Sequence, residues 1–133
     1  MNKKMLEGLV KQEEKKYSLM SPFSLLFTSP GSFDEGGGMQ NKLKILKELA
    51  QGLIGVIDSQ LVTFDKEDYP KIHSELEKQA DILVRIISKI NRIERMNLYE
   101  DKDEITLVHV EVEKFDAKTK DIRSLAQGFM LRM

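Results

Sequence analysis

The sequence predicts an all-α protein: an antiparallel three-helix bundle of long, coiled-coil-like helices over residues 39–133, with a flexible N-terminal arm over 1–38. Three observations predict it. From Leu43 onward apolar residues recur in alternating steps of three and four, which places them on one face of a helix. Charged residues make up 32% and aromatics only 7%, with no Trp, a mixture that suits long helices better than a β-sandwich. Two short polar breaks, at 65–70 and 97–103, join successive helical patterns as antiparallel hairpins are joined.

The arm is read from its breakers. Residues 1–18 have the composition of a short polar helix. Residues 19–38 carry two of the three prolines and four of the eight glycines, which oppose helix through a missing donor and a high ordering entropy. Within this stretch Phe23, Leu25, Leu26 and Phe27 form an apolar peptide, read either as part of a plain tail or as a segment that docks on the bundle or on a partner. Glu35-Gly36-Gly37-Gly38 before Met39 also reads as a translated ribosome-binding site, which would place the native start at Met39.

The three bundle helices follow in order. Leu43, Leu46, Ala50, Leu53, Ile57 and Phe64 define the first, at about 41–64, with Gln60 or Leu61 filling the gap in the spacing. Gly52 and Gly55 weaken it by roughly 1 kcal/mol each, unless they permit a close helix approach. Asp68 is placed to cap the second helix and Pro70 to occupy its first turn. That helix, at about 69–96, carries Ile72, Leu76, Gln79, Leu83, Ile86, Ile90 and Ile93. Gln79 is its one polar seam residue, of the kind that fixes register or partner choice. The third runs through Ile105, Val108, Val112, Phe115, Thr119, Ile122, Ala126, Phe129 and Met133. The alternation of Val108, Val110 and Val112 leaves a short strand at 105–113 as the competing reading of its start.

Little in the chain points to chemistry. The absence of Cys excludes disulfide frameworks, cysteine nucleophiles and Cys-ligated metals. No nucleophile–base pattern, paired-carboxylate signature or phosphate-cradling loop is present, so the expectation is a non-enzymatic protein without cofactor. His73 with Glu77 and His109 with Glu113 are i, i+4 pairs of a type that can hold metal. In an antiparallel hairpin they fall roughly 27 Å apart, so no metal site is expected. Leu19–Phe27 is interrupted by Pro22 and is far shorter than the ~20 residues of a membrane span. It lacks the features of a signal peptide, and the expected location is cytoplasmic. Lys71, Lys78, Arg85 and Arg92 recur every seven residues on the second helix, either as a solvated face or as a stripe for an anionic partner. The net charge of −1 and the lack of interleaved aromatics weigh against nucleic acid.

Residues 43–95 resemble the helical hairpin of flagellar export chaperones of the FlgN type, and more loosely of the FliT type. The resembling features are Leu53-Ile54-Gly55-Val56-Ile57, Gln60-Leu61 and the turn Asp65-Lys66-Glu67. Ser74-Glu75-Leu76-Glu77-Lys78-Gln79 leading into Ile82-Leu83-Val84-Arg85-Ile86, and the basic end Arg92-Ile93-Glu94-Arg95, complete the set. The Asn-rich stretch often seen late in such chaperones is missing. The resemblance implies a protein partner, a helical or unfolded segment of a hook-associated-type exported protein. The groove expected for it is the apolar edge of the last helix: Phe115, Ile122, Leu125, Phe129 and Met130. The same face could instead close the core. Two further readings stand beside this one: a homo-oligomeric coiled coil, and a nucleic-acid-associated subunit using the basic stripe.

Overall fold

The computed structural model describes residues 2–28 and 38–133, with the side chains of 24–28 outside that description. They form four helices: α1 (Lys3–Thr28), α2 (Gly38–Thr63), α3 (Pro70–Met96) and α4 (Lys102–Leu131). The three-helix expectation is therefore corrected to four, and the arm is largely α1. Of the expected loop at 19–38, residues 19–28 form the end of α1 and Gly38 opens α2, which corrects that part of the reading, while 29–37 lie outside the described residues. Among the described residues there is no strand, and 105–113 lies within α4.

The hairpins are closed by local chemistry. At the first, Asp65 Oδ1 accepts from the Asp68 amide at 2.7 Å, and Phe64 and Tyr69 meet edge-to-face at 5.1 Å. Asp68 does not cap α3: the residue before the helix is Tyr69, with no side-chain cap bond, and Pro70 opens the first turn. The Asp68 backbone N–H is itself held by Asp65, so this residue belongs to the turn and not to the helix start. The His73 ring instead donates through Nδ1 to the Phe64 carbonyl at 2.9 Å and ties the start of α3 to the end of α2. At the second hairpin Asn97 adopts a left-handed conformation (φ 52°) that terminates α3. Asp101 then caps α4 by accepting from the Asp103 and Glu104 amides at 3.1 and 3.2 Å.

Neighbouring helices pack in the order α1–α4–α3–α2, and the seam between α1 and α2 is the sparsest. Chain length fixes the direction of α1. Lys16 touches Gln60, so in a parallel arrangement Thr28 and Gly38 would stand about 51 Å apart at 1.5 Å per residue. Ten residue steps span at most ~36 Å. Antiparallel α1 and α2 leave only about 15 Å to cross, and the bundle is up-down-up-down.

Each helix turns one stripe inward. In α1 it is Leu6, Leu9, Glu13, Lys16 and Met20, with Phe23 partly buried beyond. In α2 it is Met39, Leu43, Leu46, Ala50, Leu53, Ile57 and Gln60. The α3 stripe is the one read from the sequence with Ile82 added. The α4 stripe gains Glu111 and ends at Ala126: Phe129 is only partly buried, and Met133 is exposed beyond the end of the helix. Gly52 and Gly55 lie outside the core; a methyl group added at either would meet nothing within 4 Å, so no close approach among the described residues explains them.

A chain lacking residues 1–37 should lose several kcal/mol, since burying each of Leu6, Leu9 and Met20 is worth about 1.5–3 kcal/mol. Urea unfolding of the full-length and shortened proteins measures this. Equal midpoints would show that α1 contributes nothing to the bundle.

Candidate functional site

Two features stand out from the apolar framework: a polar layer across the middle of the bundle and a cleft at one end of it.

The polar layer takes a side chain from every helix. Lys16 of α1 is 1% exposed, and its ammonium meets three acceptors: Glu13 at 2.7 Å, Gln60 of α2 at 2.5 Å and Gln79 of α3 at 2.8 Å. Three N–H donors thus have three partners. Gln79 donates in turn to Glu13 and to Thr119 of α4, both at 3.0 Å, and Thr119 donates to the Phe115 carbonyl at 2.9 Å. Gln60 donates to Gln12 and Glu13. Burial pulls the Lys16 pKa below its ordinary value, opposed by the Glu13 carboxylate. Gln79 was legible as a polar seam residue. Glu13 and Lys16 were not, because charged residues at seam positions erase the apolar period.

The cleft forms because α4 outruns α3. Lys118–Glu75, Arg85–Glu111 and Arg92–Glu104 hold the two helices in register, at 2.6, 3.0 and 3.4 Å. In that register Pro70 stands level with residues 123–126 of α4, and roughly the last 8–12 Å of α4 project past the start of α3. The cleft there has a volume of about 390 Å³ and is lined by Lys71, Asp121, Ser124, Leu125, Gly128, Phe129 and Arg132.

The five residues singled out in the sequence divide between these environments. Phe115 and Ile122 are fully buried in the core, enclosed where α4 packs against both α1 and α3. Leu125, Phe129 and Met130 are partly buried, and Leu125 and Phe129 line the cleft. The basic stripe is largely engaged by acids: Lys78 with Glu75, Arg85 with Glu111 and Arg92 with Glu104. Arg85 thus reaches across to α4. The two His–Glu pairs each close within one helix, at 3.2 and 3.1 Å. Among the described residues no three His, Cys, Asp or Glu side chains are placed to share a metal, and no helix is long and apolar enough to cross a membrane.

One half-buried carboxyl is poorly served. Asp116 Oδ1 is buried without a hydrogen-bond partner, one turn before Lys120, whose ammonium lies over the Tyr17 ring of α1. Burial pushes the Asp116 carboxyl up to about 6; Lys120 opposes the shift and Glu113 adds to it.

No protein-family model, curated protein or solved structure matches this chain.

Lys16→Met should cost about 3 kcal/mol, since it leaves the Glu13 carboxylate buried without its cation. Adding Glu13→Gln should recover part of the loss, and chemical denaturation of both variants gives the comparison. Asp116 binds its proton more tightly folded than unfolded. Its contribution to stability is therefore favourable in mild acid and fades as the pH rises from about 4 through about 6. Asp116→Asn should stabilise the protein at pH 7 by on the order of 1 kcal/mol, after discounting for solvent screening, and by little at pH 4. Thermal midpoints at the two pH values test this; an equal change at both refutes it.

Proposed function

We propose that this is a non-enzymatic, cytoplasmic binding protein that holds a helical segment of another protein. Its preferred role is that of an export chaperone or adaptor of flagellar or related type III secretion. The observation that carries the binding role is the overhang of α4, where Leu125 and Phe129 line an open cleft at the end of the bundle. Phe115 and Ile122 then act as the rigid footing of that surface and not as contacts, since both are fully buried. The export role rests on the resemblance of the α2–α3 hairpin to chaperones of the FlgN type, together with the partly exposed, adaptable Met130 and Met133 at the α4 end.

A second reading, self-association, is favoured by a different surface. Ile45 and Val56 are exposed on α2 at 47% and 40%, and Gly52 and Gly55 between them present open backbone. A second copy packed there would give the two glycines the close approach that the single chain does not.

Calorimetric titration of the full chain with synthetic terminal segments of hook-associated-type export substrates should give a saturable one-to-one complex. A stable oligomer by light scattering, with no uptake of any segment, would assign the protein to the self-associating class.

A further inference from the structure

The cleft at the α4 end has a chemical bias. Its floor is apolar, from Leu125 and Phe129, with Gly128 leaving the backbone open between them. Its charged lining is unequal. Asp121, the one acid, already stands 3.6 Å from Lys118. Lys71 of α3 and Arg132 at the end of α4 form no ion pair among the described residues. Arg132 lies with its guanidinium carbon 5.8 Å from the Phe129 ring centroid, which keeps its charge beside the apolar floor. The other three cations of the α3 stripe are engaged by Glu75, Glu111 and Glu104. Among the described residues Lys71 is the member of the stripe with no ion pair, and it is the member at the cleft.

We propose that the cleft takes an apolar–acidic segment of a partner protein. One Leu- or Phe-like side chain seats between Leu125 and Phe129, and Asp or Glu carboxylates on the adjoining turn are met by Arg132 and Lys71. The proposal rests on the binding role above and adds the chemistry of the partner. An Arg beside an aromatic face is suited to a carboxylate through its planar fork of donors, while Lys71 adds a point charge. At about 390 Å³ the cleft lies at the small end of ligand pockets and fits side chains, not a whole helix. Two cations are too few to hold a nucleic acid through its phosphates, and the net charge of −1 gives no long-range attraction for one.

The test uses the full chain, labelled with ¹⁵N, and two synthetic helical peptides of equal length with the same Leu and Phe positions. One carries Glu at the flanking positions and the other Lys. The Glu peptide should shift the amide signals of Lys71 and of residues 124–132 and should bind more tightly than the Lys peptide. Lys71→Glu combined with Arg132→Glu should weaken the Glu peptide by roughly tenfold or more and reverse the preference, with the helical circular-dichroism spectrum unchanged. Equal affinity of the Glu peptide for native and charge-reversed protein overturns the proposal. So do shifts that map elsewhere, or shifts at the cleft that grow with protein concentration alone and mark a second copy as its occupant. Binding that maps elsewhere leaves the adaptor role standing, whereas no binding of either peptide removes both.

Discussion

The arrangement of the bundle depends on the buried ammonium of Lys16. A charge in an apolar interior is tolerated only when its hydrogen-bonding capacity is filled, and here Glu13, Gln60 and Gln79 fill it. Those acceptors come from α1, α2 and α3, and Thr119 of α4 completes the layer through Gln79. Apolar stripes alone would let four long helices slide by a heptad with a modest change in energy. A sliding helix would drag Lys16 or Glu13 away from its partners and leave a charge buried alone. The layer therefore selects one alignment among several that pack comparably well, the use of buried polar residues best attested in coiled coils. It also accounts for how α1 is held beside α2 despite sparse packing between them, since Gln60 reaches Gln12, Glu13 and Lys16.

With alignment fixed at the centre, the ends follow from length. Ion pairs such as Lys118–Glu75 and Arg85–Glu111 set α4 against α3 so that α4 outruns its neighbour by about one and a half to two turns. A helix face prepared for packing is then left with one side open, and Leu125 and Phe129 occupy that position. Phe115 and Ile122, on the same stripe, are enclosed because α1 and α3 both flank α4 at their level. Core and cleft are thus two stretches of one helical face, separated by where the neighbouring helix begins. The proposed binding role uses the open stretch, and the enclosed stretch holds it rigid.

The elements differed in how plainly the sequence announced them. For α3, seven seam positions from Ile72 to Ile93 were readable from spacing, and all seven are buried. In α4 the three–four spacing prevailed over the alternation of Val108, Val110 and Val112, because only Val108 and Val112 of the three face the core. The region read as an arm is mostly α1, whose seam runs Leu6, Leu9, Glu13, Lys16, Met20. Two charged residues in five hide the helical period from any count of apolar positions. Pro22 lies within that helix at an exposed position, where it removes one backbone hydrogen bond without placing its ring in the core. The stripe from Lys71 to Arg92 was visible as a period of seven, but the pairing of Arg85 and Arg92 with acids of α4 was not, because those partners lie 26 and 12 residues away in the chain.

By itself the sequence determined that the described helices α2, α3 and α4 exist, where their hairpins fall and which faces turn inward. Those properties are local: they depend on side-chain spacing within one segment and on turn residues a few positions apart. Tertiary structure decided that α1 joins the bundle, which half of the α4 stripe stays open, and which basic residues are neutralised. Each of these depends on groups distant in the chain meeting at one level of the bundle. A buried lysine is stable here because two other helices bring it acceptors beside the one from its own helix, and a cleft exists only where one helix ends before another.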